Sequence, residues 1–278
     1  MKIAIIGHGF VGKAVEYGFS SPFVEKKIID PKYGSESDKI DDLKIWSPDL
    51  TFICVPTPMQ DDGDIDTSIL DDVIEKIDGM SGIIAIKSTV TPSIIGKYDE
   101  VNIVYNPEFL TERSACEQFV NPEFHIFGGH IEICKKLKSY YETHSLCNHC
   151  PSYILSKEEA SFVKYAINSF LATKVVFFNQ LYDACNTHDN VNFNEVIKAV
   201  GADKRINVSH TKVPGFDGKK GFGGACFPKD TSAFVRFTDK MSLLSKVIEI
   251  NDVYRSQYER DAREKEQNIK FKNHEETE

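Results

Sequence analysis

The stretch GHGFVG, Gly7 to Gly12, follows the apolar run KIAII without a break and opens a segment of helical periodicity. No other feature narrows the fold of the chain as far. The first glycine of such a strand-to-helix turn permits a tight bend, the second lets a ligand reach the main chain, and the third lets helix and strand pack closely. A helix starting there directs its unpaired N–H groups, and the positive end of its dipole, at whatever lies over the strand. GxGxxG is a weak signal alone. With a strand before it and a helix after it, it predicts a dinucleotide site contacted by Gly7, Gly9, Phe10, Val11 and Gly12.

Asp30 ends the next apolar run, close to the ~20-residue offset at which a carboxylate meets the ribose hydroxyls of NAD. A carboxylate there would repel the additional phosphate of NADP, so the expected cofactor is NAD. VPTP, at Val55 to Pro58, follows the third strand run and would lie over the carboxyl ends of the sheet. Val55, Pro56 and Thr57 are read either as a cofactor loop or as a proline-stiffened turn.

The first half alternates short apolar runs with amphipathic ones, as in a parallel sheet with crossover helices. Strands are predicted at Ile3–Ile6, Lys27–Asp30, Leu50–Val55, Gly82–Lys87, Val101–Tyr105 and Phe124–Phe127. Helices are predicted at Val11–Phe19, Thr67–Ile77, Thr91–Gly96 and Ile131–Thr143. From Ser156 the texture changes: KEEASFVKYAINSFLATKVVFFNQLYDACNTH holds neither Gly nor Pro and has apolar residues at helical spacing. Ser156 with Glu159 reads as a capping box for one long helix. A second helix, Asn194–Val200, and a last helical stretch from about Thr231 to Glu266 follow, and the charged tail KFKNHEETE should fray. The fold class is therefore α/β: a Rossmann-like doubly wound parallel sheet over residues 1–153, then an all-α domain with a long central helix over 154–278.

The net charge of -9 argues against nucleic acid as a partner, because that binding rests on clustered cations neutralising phosphates. No apolar run approaches the ~18 residues of a membrane span, and the N-terminus lacks a signal-peptide pattern. The expected setting is cytoplasmic. Seven cysteines, an odd and scattered set, suit thiols better than a disulfide framework. CNHC, at Cys147 to Cys150, is read as two thiols on a loop ahead of a strand, since no second ligand pair accompanies it. No metal is expected.

GFGGACFPKD, Gly221 to Asp230, strips side chains from around Cys226 and then sets Pro228, Lys229 and Asp230 beside it. A structural cysteine prefers apolar neighbours, whereas glycines admit backbone or ligand. Pro228 can open a helix, and helix N-termini and cations favour a reactive thiolate. Cys226 is therefore a candidate nucleophile. Thr89 in KSTV and Glu108 in NPEFL lie at strand ends, and Lys164 and Asn168 stand one turn apart on the long helix among apolar neighbours.

GHGFVG, VPTP, KSTV, NPEFLTE, EASFVKYAINSFLATK and GFGGACFPKD, in this order, resemble the UDP-glucose/GDP-mannose dehydrogenase family. The resemblance implies oxidation of the C6 alcohol of a nucleotide sugar, UDP-glucose foremost, to a carboxylate in two hydride transfers to NAD. The same chemistry on GDP-mannose or a UDP-N-acetylhexosamine is the alternative, as is a non-catalytic partner that binds NAD or the sugar nucleotide. By the matching, Cys226 adds to the intermediate aldehyde, and the thiohemiacetal is oxidised to a thioester that water cleaves. Lys164 would stabilise the alkoxide and oxyanion with Asn168 beside it, Glu108 would activate the water, and Thr89 would hold it. Asp230 would either handle protons or orient Lys164.

Substrate contacts are implied at Glu108, Phe109, Leu110, Glu112, Lys164, Asn168, Arg205, Phe222, Gly223 and Cys226, with Arg205 reaching a neighbouring subunit. Gly223 would lack a side chain so as not to meet the sugar. A homodimer through the central helix is also implied. The expectation is a short form without the family's C-terminal nucleotide-sugar-binding domain. Ala225 stands where the family more often has Ser. HTKVPGFDGKK, with His210, Lys212, Lys219 and Lys220, is either a diphosphate site or a solvated loop.

Overall fold

The computed structural model describes residues 1–272. They form two compact units: 1–57 with 66–164, and 58–65 with the chain from 165 onward. In the first unit the elements run β1 (Lys2–Ile6), α1 (Phe10–Gly18), β2 (Glu25–Ile29), α2 (Leu43–Trp46), β3 (Leu50–Ile53), α3 (Ser68–Ile77) and β4 (Ile83–Ile86). They continue with α4 (Pro92–Ile95), β5 (Ile103–Tyr105), α5 (Ala115–Val120), β6 (His125–Gly128), α6 (Ile131–His144) and β7 (Ser152–Leu155).

The strands pair in the order β2-β1-β3-β4-β5-β6-β7. Chain order reverses between β1 and β3, which places a topological switch point at their carboxyl ends. β1, β3, β4 and β5 read as near-continuous Ile, Val, Leu and Phe because both faces of the sheet are covered. Ile3, Ile5, Phe52, Ala85 and Val104 pack with Phe19, Phe119, Phe127 and Tyr141 in one cluster.

The sheet is not parallel throughout. β6 runs antiparallel to β5 and parallel to β7. An antiparallel neighbour needs no crossover of fixed hand, so strand spacing in the sequence does not reveal it. α2 and α5 were also not predicted; each is too short to show a helical period.

The second unit continues α7 (Lys157–Cys185), whose first residues, up to Lys164, belong to the first unit, and adds α8 (Phe193–Val200), α9 (Phe227–Phe237), α10 (Ser242–Arg255) and α11 (Ala262–Glu266). The start of α7 is the predicted capping box: Ser156 Oγ accepts from Glu159 N at 3.1 Å, and Glu159 Oε2 accepts from Ser156 N at 2.8 Å. The stretch from Thr231 to Glu266 is not one helix. It breaks at Thr238, whose backbone is extended, and again before Asp261, which caps α11 with a capping box of its own through Glu264. Of the tail expected to fray, 270–278, the part from residue 273 lies outside the described residues. Among the described residues no helix is long and apolar enough to cross a membrane.

Candidate active site

β1 delivers the chain to Gly7, which turns at φ +86°. A Cβ there would lie 2.6 Å from the Cys54 carbonyl oxygen after β3, so the turn closes only on glycine. Gly9 differs. It caps α1 with no side-chain bond to the helix N–H groups, the first turn of α1 holds no acid, and a Cβ on Gly9 would meet nothing within 4 Å among the described residues. Open space at a helix N-terminus without a side-chain cap fits a pyrophosphate.

Asp30, just past β2, stands beside this turn. Its Oδ2 accepts from His8 N at 2.6 Å and its Oδ1 from Lys32 N at 3.0 Å, with Lys32 Nζ 3.5 Å away. Burial pulls its carboxyl upward, but those two amides and the Lys32 cation hold it below the usual carboxylate range. It therefore stands ionised, as a ribose acceptor requires. The His8 ring lies between the Tyr33 hydroxyl at 2.6 Å and Glu16 Oε2 at 2.8 Å. The structure also ties VPTP to KSTV: Thr57 Oγ1 donates to the Thr89 carbonyl at 2.9 Å, and Ser88 Oγ to the Val55 carbonyl at 2.6 Å. Val55 and Thr57 are buried and Pro56 is exposed.

Glu108 follows β5 and is buried, its Oε2 accepting from Leu110 N at 2.6 Å. Lys164 of α7 donates to Glu108 Oε1 at 3.1 Å and to the Glu108 carbonyl at 2.5 Å, and its ammonium stands 5.3 Å from the centre of the Phe109 ring. Behind them lies a residue whose role sequence reasoning missed. Lys87, the last residue before Ser88 and Thr89, donates to the Asn106 carbonyl at 2.9 Å and to its side-chain oxygen at 3.1 Å. Tyr141 OH donates to the same Asn106 oxygen at 2.7 Å, and the Asn106 amide holds the Ile126 carbonyl at 2.8 Å. Burial pushes the Lys87 ammonium down to about 8. Glu112, by contrast, is exposed.

In the second unit Cys226 is the N-cap of α9, with Pro228 in the first turn. The thiol-bearing residue thus stands at the positive end of that helix. Asp230 is buried, with Lys229 Nζ 2.6 Å from its Oδ1 and the Asn168 amide donating to its Oδ2 at 2.6 Å. Lys164 and Asn168 therefore hold different carboxylates, although they share a helix.

The glycine loop is gripped by side chains from three helices. Asn179 Oδ1 accepts from Gly221 N at 3.1 Å, Asn251 bonds both Phe222 N (2.6 Å) and the Phe222 carbonyl (3.0 Å), and Glu264 Oε1 accepts from Gly224 N at 3.0 Å. A Cβ on Gly223 would collide with the Arg255 guanidinium and the Glu264 carboxylate. The space that a side chain on Gly223 would need, which the resemblance associates with a sugar, holds this ion pair. None of Asn179, Asn251, Arg255 and Glu264 was singled out from sequence. Single asparagines inside apolar helices and the DARE capping box were the available signals.

Arg205 lies exposed, its guanidinium forked onto Asp203 at 3.0 Å and 2.5 Å. In the cationic loop Lys220 is paired with Asp183, and Lys219 donates to the Glu259 carbonyl at 2.5 Å. Two of its four candidate cations are thus engaged within the chain. All seven cysteines are thiols, and that of Cys147 donates to the Phe119 carbonyl at 3.1 Å.

A sheet with an ionised acid beside an open glycine turn, joined to a helical unit that carries a thiol on a helix cap, defines a class of dinucleotide-dependent proteins. Residues 36–144 match the NAD binding domain of the UDP-glucose/GDP-mannose dehydrogenase family, and residues 158–253 its central domain. The chain belongs to this family, and NAD is its cofactor. It is 30% identical over 244 residues to a UDP-glucose 6-dehydrogenase of Rickettsia typhi, covering 82% of this chain and 55% of that protein. It is 32% identical over 313 residues to a UDP-glucose 6-dehydrogenase of Pseudomonas aeruginosa, covering 96% and 66%. A solved UDP-glucose dehydrogenase from Pyrobaculum islandicum superposes with a TM-score of 0.76 at 26% identity, covering 90% of this chain and 68% of the other. The chain thus spans 55% to 68% of the length of these relatives.

Proposed function

We propose that the chain is an NAD-dependent nucleotide-sugar 6-dehydrogenase that oxidises UDP-glucose, with water, to UDP-glucuronate. The observation that carries this reading is Cys226 at the N-cap of α9, in a glycine loop whose backbone is held by buried side chains. An aldehyde has no second oxygen until a nucleophile adds, and a thiol at a helix N-terminus is suited to that addition.

When bound, NAD accepts the hydride in each of two oxidations. The remaining roles fall to the chain. Lys164 stabilises the sugar alkoxide, and later the hemithioacetal oxygen, by charge. Cys226 Sγ bonds to C6 of the aldehyde and is released when water cleaves the thioester. Glu108 takes the proton of that water, and Thr89 holds it. Asn168 and Lys229 fix Asp230, which then handles protons near the sugar. Gly7, Gly9, Phe10, Val11, Gly12, Asp30 and the loop Val55–Thr57 hold the dinucleotide, within a cofactor domain of residues 1–153. Phe109, Leu110, Glu112, Arg205 and Phe222 shape the substrate site, and Gly223 contributes to it through its backbone alone, since the space for a side chain there holds Arg255 and Glu264.

Residues 154–278 supply the thiol and a homodimer contact. Phe162, Phe170 and Phe177, at 45%, 70% and 59% exposure on α7, support such a contact. The setting is cytoplasmic. The test is an assay of the purified chain with UDP-glucose and NAD, run beside GDP-mannose and UDP-N-acetylhexosamines. Two NADH per UDP-glucuronate, and loss of the carboxylate product in Cys226→Ala with NAD binding retained, are the expected results. Unchanged carboxylate output from that variant would overturn the role of the thiol.

A further inference from the structure

We propose that Arg255 and Glu264 are positioning residues that set the loop carrying Cys226; the inference rests on the reading of Cys226 given above. Both side chains are almost completely buried, at 1% and 0% exposure. Arg255 Nη2 donates to Glu264 Oε1 at 2.6 Å and Nη1 to Asp217 Oδ2 at 2.7 Å, the latter carboxylate lying in the loop that leads to the glycines. Glu264 Oε1 also accepts from Gly224 N, and its Oε2 accepts from Asp261 N at 2.9 Å.

Stability alone does not account for this arrangement. A buried ion pair gains little over apolar side chains of the same volume, because two charges must be desolvated. Here Arg255 Nε is in addition buried without a hydrogen-bond partner among the described residues. What an apolar pair could not supply is an anionic acceptor for Gly224 N–H, two residues before Cys226, together with a rigid planar group filling the space beside Gly223. Gly224 itself turns at φ +76° and Gly221 at φ +74°, so the loop depends on outside contacts to hold one conformation. Asn251 fixes Phe222 from α10, and Glu264 fixes Gly224 from α11.

The same C-terminal segment holds a second loop. Met59 N donates to the Gln267 carbonyl at 3.0 Å, the Asn268 amide to the Met59 carbonyl at 2.9 Å, and Lys270 Nζ to Asp61 Oδ1 at 2.6 Å. The segment from Arg255 to Lys270 thus fastens the thiol loop and the 58–65 loop, which begins at the last residue of VPTP, to one frame.

The test compares Glu264→Gln, Glu264→Ala, Arg255→Lys and Arg255→Met in the full chain by amide hydrogen exchange and by kinetics. In Glu264→Ala, exchange in peptides covering 221–226 should accelerate about tenfold or more while peptides of the sheet keep their rates. With UDP-glucose and NAD, kcat should fall about 10- to 100-fold with the KM for NAD unchanged, the pattern of a lost transition-state arrangement. Glu264→Gln, which keeps an acceptor for Gly224 N–H, and Arg255→Lys, which keeps the charge, should each retain more activity than the corresponding Ala and Met variants. Unchanged exchange in the loop, acceleration spread over the whole unit, or an unchanged kcat would each overturn the proposal. If Glu264→Ala does not fold, Arg255→Met, which removes the partner of Glu264, decides it by the same two readouts. Exchange needs no turnover, so an inactive wild type would count against the proposed reaction while the loop result still stands or falls by itself.

Discussion

Lys164 Nζ stands 3.1 Å from Glu108 Oε1 with 3% and 7% of the two side chains exposed, and the same ammonium holds the Glu108 carbonyl. The carboxylate that would activate water is thus tied to the cation that would steady the oxyanion. Glu108→Gln keeps the size and one acceptor of the side chain but removes its basicity. The expected outcome is a folded, NAD-binding protein that forms two NADH per site in its first turnover and then stalls as a thioester on Cys226, with steady-state turnover about 10²-fold slower. Intact-mass measurement should show the sugar-nucleotide adduct. A wild-type steady-state rate in this variant would remove Glu108 from the hydrolytic step.

The two glycines of the cofactor turn should behave differently although the motif treats them alike. Gly7→Ala puts a Cβ against the Cys54 carbonyl at a positive φ, so it should cost about 2 kcal/mol or more of folding stability. Gly9→Ala meets nothing within 4 Å, so the melting temperature should hold while NAD binding weakens, because the methyl group enters the space of the pyrophosphate. Thermal melts and NAD titration of both variants separate these outcomes. Equal effects of the two on stability would contradict the geometry.

Asp30 accepts two amide bonds besides facing Lys32, and this sets what its removal should do. In Asp30→Ala the His8 and Lys32 amides lose their acceptor, the repulsion toward a 2′-phosphate disappears, and Lys32 remains. NAD affinity should fall about tenfold or more while NADP binding improves, which titration of both cofactors would show. A parallel loss for NAD and NADP would mean that the carboxylate acts only as a cap for the turn that follows it.

What was legible in the sequence follows from range. Strand runs, the GxGxxG turn and the Ser156–Glu159 cap are written in neighbouring residues, and local chemistry suffices to find them. The antiparallel turn of β6 against β5 is a long-range choice with no local mark. The residues proposed to bear the chemistry could be picked out because each sits in a short motif, but their partners could not. Nothing in the spacing of Lys164 and Asn168 tells that one holds Glu108 and the other Asp230. Gly223 shows the limit most plainly: its lack of a side chain was evident, and what fills the space, Arg255 with Glu264, comes from more than thirty residues further along the chain.

Lys87 supplies a prediction that turns on the sign of a proton balance. Burial lowers its ammonium from the ordinary 10.5 to about 8, and its hydrogen bonds go to a carbonyl and an amide oxygen of Asn106. Between those two values the unfolded chain keeps a proton that the folded chain has released, so this group makes stability rise with pH, by at most about 1.4 kcal/mol per unit. Lys87→Met removes the contribution. Urea unfolding of wild type and variant at pH 7.5 and pH 10 should show the difference between them moving toward the wild type by about 2 kcal/mol at the higher pH. A difference that stays constant would mean that the ammonium remains charged in its buried place, stabilised by the Asn106 oxygens more strongly than burial opposes it.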